Sequence, residues 1–169
     1  MIGAAQRTAV RRWKLGHHAF HLYLIAMNTE LPIALRLTEQ RRWDALLPSL
    51  QRLTVLYDAA TASMKFAADF DPDEYDTLIR PSMAPPFLSP GFSGQQNRDH
   101  ATMLDLMSEA QRTLKALLRN LDVPAELRAA ATALWEAQAR NRRHHILVCA
   151  KFVPDGGSLL RDYLEGKTG

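Results

Sequence analysis

Residues 4–27 read AAQRTAVRRWKLGHHAFHLYLIAM, and their pattern decides the fold class. Apolar, aromatic and histidine side chains recur every three or four residues, at Val10, Trp13, His17, Phe20, Leu24 and Met27. That spacing places them on one face of an α-helix. Asn28 and Thr29 interrupt the pattern, and Pro32 suits the first turn of a following helix. The stretch therefore predicts a long helix that buries one face.

The same spacing continues along the rest of the chain. Further helices are expected over residues 32–47, 49–68, 95–121 and 124–152. Pro48 is expected to break or kink the chain between the first two of these. No segment shows a persuasive strand-like alternation of apolar and polar residues. The sequence therefore predicts one all-α domain over residues 1–169, a bundle of about five or six helices.

Composition is that of an ordinary globular protein, with 169 residues, 47% hydrophobic and 23% charged. The one cysteine, Cys149, excludes an internal disulfide and any multi-cysteine metal site, and we expect it to be a small core residue. The net charge of +3 is split over separate clusters, so no nucleic-acid partner is expected. No apolar run is long enough for a transmembrane helix, and no clean signal peptide appears. A cytoplasmic, membrane-free protein is the expectation.

Residues 69–94 differ in composition from the predicted helices. An acidic patch around Pro72 is followed by a stretch with four prolines between residues 81 and 90 and few charges. Long loops inside small domains are usually functional, so we expect a packed, functional loop here. The alternative is a flexible linker between two helical hairpins.

Histidine is the most informative residue type. Five of the six histidines fall in two clusters, His17, His18 and His21 on the first predicted helix and His144 and His145 on the last. Neutral imidazole is a common metal ligand and can bind haem iron axially. A di-iron site is disfavoured because no Glu-x-x-His motif occurs, and a three-histidine zinc site has no recognisable spacing. The alternative is that these are ordinary core or surface histidines.

Two adjacent stripes on the last helix each contain one of the paired histidines. His144 shares its stripe with uncharged residues, Leu127, Ala130, Leu134, Ala137, Asn141 and Val148. The stripe of His145 includes Arg142. An uncharged stripe is the better core face, so we expect His144 to point inward, with His145 as the alternative.

Two further motifs suit anion binding. Arg98 follows the proline-rich stretch and could bind a carboxylate with two parallel hydrogen bonds, although a salt bridge to Asp99 or to the acidic patch is an alternative. Gly156, Gly157 and Ser158 could form a loop that closes a pocket, although a simple helix C-cap is an alternative.

Three short motifs occur in a fixed order along the chain, within residues 17–31, 70–98 and 143–164. The positions that carry them are His17, Phe20, Leu22, Tyr23, Glu30, Leu31, Gly91, Phe92, Gln96, Arg98, Arg143, His144, Val148, Gly156, Gly157 and Ser158. Together they resemble the tryptophan 2,3-dioxygenase superfamily of haem proteins. Departures from the family pattern include Pro154-Asp155 in place of Gly-Thr and a much shorter chain. The chain therefore resembles a short, divergent member.

The resemblance implies a haem b cofactor whose iron is bound by His144, or alternatively by His145. It places His17 over the distal face of the haem as the catalytic histidine. It also implies a set of substrate-binding residues, Trp13, Phe20, Phe92, Arg98, Asp155, Gly156, Gly157 and Ser158. Arg98 would hold a substrate carboxylate, and Asp155 would pair with its ammonium group.

The implied activity is oxygen insertion into an indole or phenol amino acid or a derivative of one, with molecular oxygen or peroxide as the oxidant. A peroxide-using haem aromatic hydroxylase is one alternative. A haem-binding sensor or a helical interaction module without cofactor is another. Subunits of the family exchange N-terminal segments, so the resemblance also implies a homodimer or homotetramer.

Overall fold

Four long helices form the frame of the molecule. The computed structural model describes residues 3–88, 97–119 and 123–153. Its elements are α1 (Ala4–Glu39), α2 (Trp43–Ala67), α3 (Pro72–Glu74), a π-helix (Tyr75–Ile79), α4 (Arg80–Ser82), α5 (Arg98–Leu118) and α6 (Ala125–Phe152). The predicted all-α bundle is confirmed. No helix in these ranges is both long and apolar enough to cross a membrane.

The bundle consists of two antiparallel hairpins. α1 packs along α2, with Gly16 beside Ala67 and Glu30 beside Ser49. α5 and α6 are joined by hydrogen bonds from Gln111 to Gln138 and from Arg128 to the Leu118 carbonyl. α1 also packs on α5, and α2 on α6. The first halves of α1 and α5 therefore meet the last halves of α2 and α6 at one end of the bundle, which we call the site end.

Apolar residues form two separate clusters. The larger one, which we call the main core, lies between the four long helices and includes the fully buried Leu24, Leu31, Leu50, Leu53, Leu114 and Leu134. Each such leucine stabilises the fold by about 1.5–3 kcal/mol relative to an exposed one. A smaller cluster lies at the site end and consists of Ala9, Ile79 and Met83, with Val10, Trp13, Phe70 and Tyr75 packed against it.

The expected interruption of the first helix at Asn28 and Thr29 is wrong, because α1 continues through both residues and through Pro32. Thr29 donates its hydroxyl to the Ile25 carbonyl one turn back, a bond that is compatible with a helix. Asn28 donates to the Asp99 carbonyl of α5. Tertiary packing of Leu24 and Leu31 on the main core outweighs the backbone hydrogen bond that Pro32 removes.

A break at Pro48 does not occur, because Pro48 lies inside α2. Its neighbours Leu46 and Leu50 are fully buried in the main core, which holds the first turns of α2 in place. The chain turns instead between Glu39 and Trp43, so the helix expected over residues 32–47 is wrong. α5 and α6 are confirmed, with slightly narrower bounds than expected. Asn97 sets the start of α5, since its side-chain oxygen accepts a hydrogen bond from the His100 N–H at 3.1 Å.

The acidic patch forms short helical segments, and the loop that we expected from residue 80 onward begins with one helical turn, Arg80–Ser82. Asp71 caps α3 by accepting a hydrogen bond from the Asp73 N–H at 3.0 Å, and Pro72 occupies the first turn. The π-helix and α4 follow without a gap, and Ile79 and Met83 turn inward onto α1. The residues from 89 to 96 lie outside the described part of the chain.

Gly16 marks the closest approach of α1 to α2. A Cβ atom at this position would lie 2.4 Å from the Ala67 Cβ and 2.7 Å from the Ala67 Cα, so only glycine fits. A polar contact adds to this interface further along, where the Glu30 carboxylate accepts hydrogen bonds from Ser49 at 2.5 Å and from Arg52 at 2.7 Å. These contacts fix the register of α1, and with it the position of the next residue, His17.

Candidate histidine site

Histidines from three helices lie at the site end: His17 on α1, His100 near the start of α5 and His145 near the end of α6. The hairpin topology brings these segments together although they are far apart in sequence. Sequence patterns do not single out His100, because it is a single histidine outside both clusters. Only the packing of α5 on α1 shows that it belongs with the others.

His17 is held by Trp13, one turn earlier on α1. Its Nδ1 lies 2.7 Å from the Trp13 carbonyl oxygen, and the two rings are 4.5 Å apart between centroids. Because a carbonyl can only accept, Nδ1 must carry the proton and donate it. The other ring nitrogen, Nε2, then has a free lone pair when the imidazole is neutral.

The pKa of His17 lies below its ordinary value of 6.5. Burial of the ring against neighbouring protein atoms is the main cause, the hydrogen bond to Trp13 opposes it, and the charge of His18 lowers the pKa further. His17 is therefore neutral at neutral pH. A neutral imidazole can accept a proton or a hydrogen bond at Nε2.

His100 is half-buried beside Phe20, with ring centroids 6.3 Å apart. Burial lowers the pKa of His100, and the nearby His145 lowers it further. Phe20 also packs against the main core, so its ring lies between His100 and the core.

His145 is followed one turn later by Cys149, whose Sγ lies 3.8 Å from Nδ1 and 3.9 Å from Nε2 of the imidazole. Cys149 is exposed, so the expectation of a core cysteine is wrong. Burial of part of its surface raises the pKa of the thiol. His145 shares a helix face with the buried residues Ala131, Gln138 and Phe152, but its own side chain is exposed.

His144 faces a different part of the surface. It is half-buried and lines a shallow groove of about 410 Å³ between the ends of α2 and α6, together with Lys65, Phe66, Ala68, Asp69, Leu147, Val148 and Lys151. Lys151 donates hydrogen bonds to the carbonyls of Ala68 and Phe70, at 2.9 and 2.7 Å. The paired histidines thus lie on different faces of α6, and His144 is the more buried of the two, as its uncharged stripe predicts.

The predicted substrate residues are only partly described. Arg98 is the exposed first residue of α5. The alternative ion pair between Arg98 and Asp99 does not form, since Asp99 lies 3.5 Å from His21 instead. Trp13 packs on the smaller apolar cluster. The other residues of the set, Phe92, Asp155, Gly156, Gly157 and Ser158, lie outside the described residues.

The donor set fits a haem. In the described ranges no three His, Cys, Asp or Glu side chains are grouped to hold a metal ion. Axial ligation of a haem requires only one imidazole. The site end offers such groups on separate helices, neutral at His17 and His100, beside the aromatic side chains of Trp13, Phe20 and Tyr75.

Comparison with known proteins gives two matches. The model of one protein family, SfmD 3-methyl-L-tyrosine peroxygenase, matches residues 3–129, which include His17, Arg98 and His100. The 3-methyl-L-tyrosine peroxygenase of Streptomyces lavendulae is 28% identical over 152 residues, which are 87% of this chain and 39% of that relative. The chain thus spans about two-fifths of the relative's length. No solved structure matches the chain significantly.

Proposed function

The chain belongs to the SfmD 3-methyl-L-tyrosine peroxygenase family, and we propose that it is a haem-dependent oxidoreductase that uses peroxide to hydroxylate an aromatic amino acid. The family match over residues 3–129 carries this proposal. The name of the relative specifies a peroxygenase and a phenol substrate. It therefore supports the peroxide-using alternative over oxygen insertion with molecular oxygen, and a phenol over an indole.

Haem b would be held by an imidazole near the end of α6. The helix face that His145 shares with buried Gln138 and Phe152, and its electrostatic effect on His100, favour the exposed His145 as the iron ligand, and the half-buried His144 in the groove beside α2 is the alternative. The bound haem would supply the activation of peroxide and the transfer of oxygen, which is chemistry that no side chain provides.

His17 would accept and return the proton that the substrate hydroxyl or the peroxide gives up. Its Nδ1 is committed to the Trp13 carbonyl, so the proton is accepted and returned at Nε2. Because burial lowers the pKa of His17, the imidazole is available as a base at neutral pH. The substrate hydroxyl or the peroxide would be the proton donor.

The substrate would be recognised through its two charges and its ring. The exposed guanidinium of Arg98 has no carboxylate partner among the described residues and can bind the substrate carboxylate with two parallel hydrogen bonds. Asp155 would pair with the ammonium group. Phe20 and Phe92 would line the slot for the aromatic ring.

Turnover of the purified, haem-loaded protein tests the proposal. We expect hydroxylation of 3-methyl-L-tyrosine or L-tyrosine with hydrogen peroxide, and isotope-labelled peroxide should label the new hydroxyl group. His17→Ala should lower turnover roughly 100-fold or more while the haem stays bound. The matched control is His18→Ala, an exposed neighbour that should have little effect. Label arriving from molecular oxygen, or absence of haem binding, would contradict the proposal.

Substrate charge can be tested separately by titrating the haem absorption band. Tyramine lacks the carboxylate, so it should bind about 10- to 100-fold more weakly than L-tyrosine, which corresponds to one charge-assisted hydrogen-bond pair of about 1.5–3 kcal/mol. Arg98→Ala should weaken the binding of L-tyrosine to the same degree and leave the binding of tyramine unchanged. Equal binding of the two ligands to the wild-type protein would show that Arg98 does not hold the carboxylate.

A further inference from the structure

Trp13 contacts His17 in two ways. Its carbonyl accepts the Nδ1 proton at 2.7 Å, and its indole ring lies against the imidazole at 4.5 Å with an interplanar angle of 39°. Both His17 and the next histidine along the chain, His18, are exposed, but His18 has neither contact. The two neighbouring histidines therefore differ in how far their rings are restrained.

The indole itself is held from behind. Trp13 packs against the smaller apolar cluster, in which Ile79 is 2% and Met83 7% exposed. Ile79 is the last residue of the π-helix, an element that is rare and often found at functional sites. The indole is thus packed between the inward face of this segment and the His17 ring.

Orientation of a reacting imidazole has two parts, the rotamer and the choice of protonated nitrogen. An unrestrained neutral histidine populates both tautomers, and a hydrogen bond at one nitrogen selects which one predominates. The carbonyl of Trp13 is available to His17 only while the side chain keeps the rotamer that folds back along α1. Stacking of the indole on the imidazole favours that rotamer.

We propose that Trp13 is a positioning residue that holds His17 with Nδ1 protonated and Nε2 presented to the site. This role differs from the substrate contact that the sequence predicts for Trp13. It rests on the proposed function, in which His17 moves the proton. Stacking fixes the rotamer, and the rotamer keeps the hydrogen bond to the carbonyl.

The tautomer of His17 tests the proposal without any turnover. The full-length chain, with isotope-labelled histidine and before haem is added, is compared by nuclear magnetic resonance with its Trp13→Met and Trp13→Phe variants. Met fills the space beside Ile79 without stacking, and Phe keeps an aromatic ring. We expect one tautomer, protonated at Nδ1, in wild type and Trp13→Phe, and a mixture in Trp13→Met, while His18 stays the same in all three.

An unchanged His17 tautomer in Trp13→Met would overturn the proposal, because the helix backbone alone would then fix the ring. Should Trp13→Met fail to fold by circular dichroism, Trp13→Leu takes its place, and an unchanged tautomer there would count equally against the proposal.

Steady-state kinetics then separates positioning from substrate contact. Positioning predicts that Trp13→Met lowers kcat by about tenfold or more with KM within about twofold, and that Trp13→Phe recovers most of kcat. A raised KM with unchanged kcat would show that Trp13 forms a wall of the substrate slot and would overturn the proposal. A wild-type protein that turns over no substrate would count against the proposed function, while the tautomer result would still stand.

Discussion

Gly16→Ala is predicted to destabilise the protein, although alanine is the better helix former. The added Cβ would lie 2.4 Å from the Ala67 Cβ, 2.7 Å from the Ala67 Cα and 2.9 Å from its backbone nitrogen. Two of these atoms belong to the backbone of α2 and cannot rotate away. The two helices must therefore move apart near residue 16.

The size of the effect follows from two opposing contributions. Carbon atoms in contact sit about 3.5–4.0 Å apart, so the helices must separate by roughly 1 Å. Forcing extra atoms into a packed interface costs about 1–3 kcal/mol. Replacing glycine by alanine inside a helix stabilises the helix by roughly 0.8–1.0 kcal/mol. We expect the free energy of unfolding to fall by about 1–2 kcal/mol in total, because backbone atoms cannot move aside without shifting the helix.

Urea unfolding followed by far-ultraviolet circular dichroism measures this loss. With a slope near 2 kcal/mol per molar urea, the midpoint should fall by roughly 0.5–1 M. Gly3→Ala is the matched control, since its Cβ would meet only the Gln6 Oε1 at 3.8 Å and should leave the midpoint nearly unchanged. Adding Ala67→Gly to Gly16→Ala should restore only part of the loss. A midpoint for Gly16→Ala at or above that of wild type would refute the reasoning.

Three further predictions concern the haem and the pH dependence of stability. His145→Ala should abolish or greatly weaken the Soret band while His144→Ala keeps most of it, and the reverse would make His144 the ligand. Burial raises the pKa of Tyr57 from 10.0 to about 12, so its contribution to stability is complete below pH 10 and is lost as the pH rises towards 12, a loss that Tyr57→Phe should remove from the urea midpoints. Burial alone would raise the pKa of Glu30, but hydrogen bonds, chiefly from Arg52, lower it below 4.5, so its contribution is lost as the pH falls through that lowered value. Glu30→Gln should cost about 1–3 kcal/mol at neutral pH and flatten the acid side of the stability profile.

Helical spacing was enough to predict the frame of the molecule. The stripe that ends in Leu24 and Met27 is buried where it was expected, because period and burial are coupled directly in an amphipathic helix. The break at Thr29 was predicted wrongly, since local propensity cannot show that packing on α2 and α5 holds the helix together. Pro48 was misjudged for the same reason.

The candidate site was harder to predict than the frame. Two clusters of histidines are visible in the sequence, but His100 joins them only through the docking of α5 on its neighbours. The choice between His144 and His145 depends on how α6 is rotated. The uncharged stripe correctly indicated His144 as the more buried of the two, and which of them binds iron stays a prediction. Near the end of α6 the buried face narrows, so side chains of both stripes reach solvent.

The separation of the two apolar clusters has a consequence for how this protein can diversify. Substitutions at Ala9, Ile79 or Met83 reshape the surroundings of Trp13 and His17 but leave the leucines of the main core untouched. The main core can therefore maintain stability while the smaller cluster changes the surroundings of the candidate site. A library confined to the smaller cluster should yield many folded variants with altered substrate range, whereas a library of equal size in the main core should yield mostly unfolded ones.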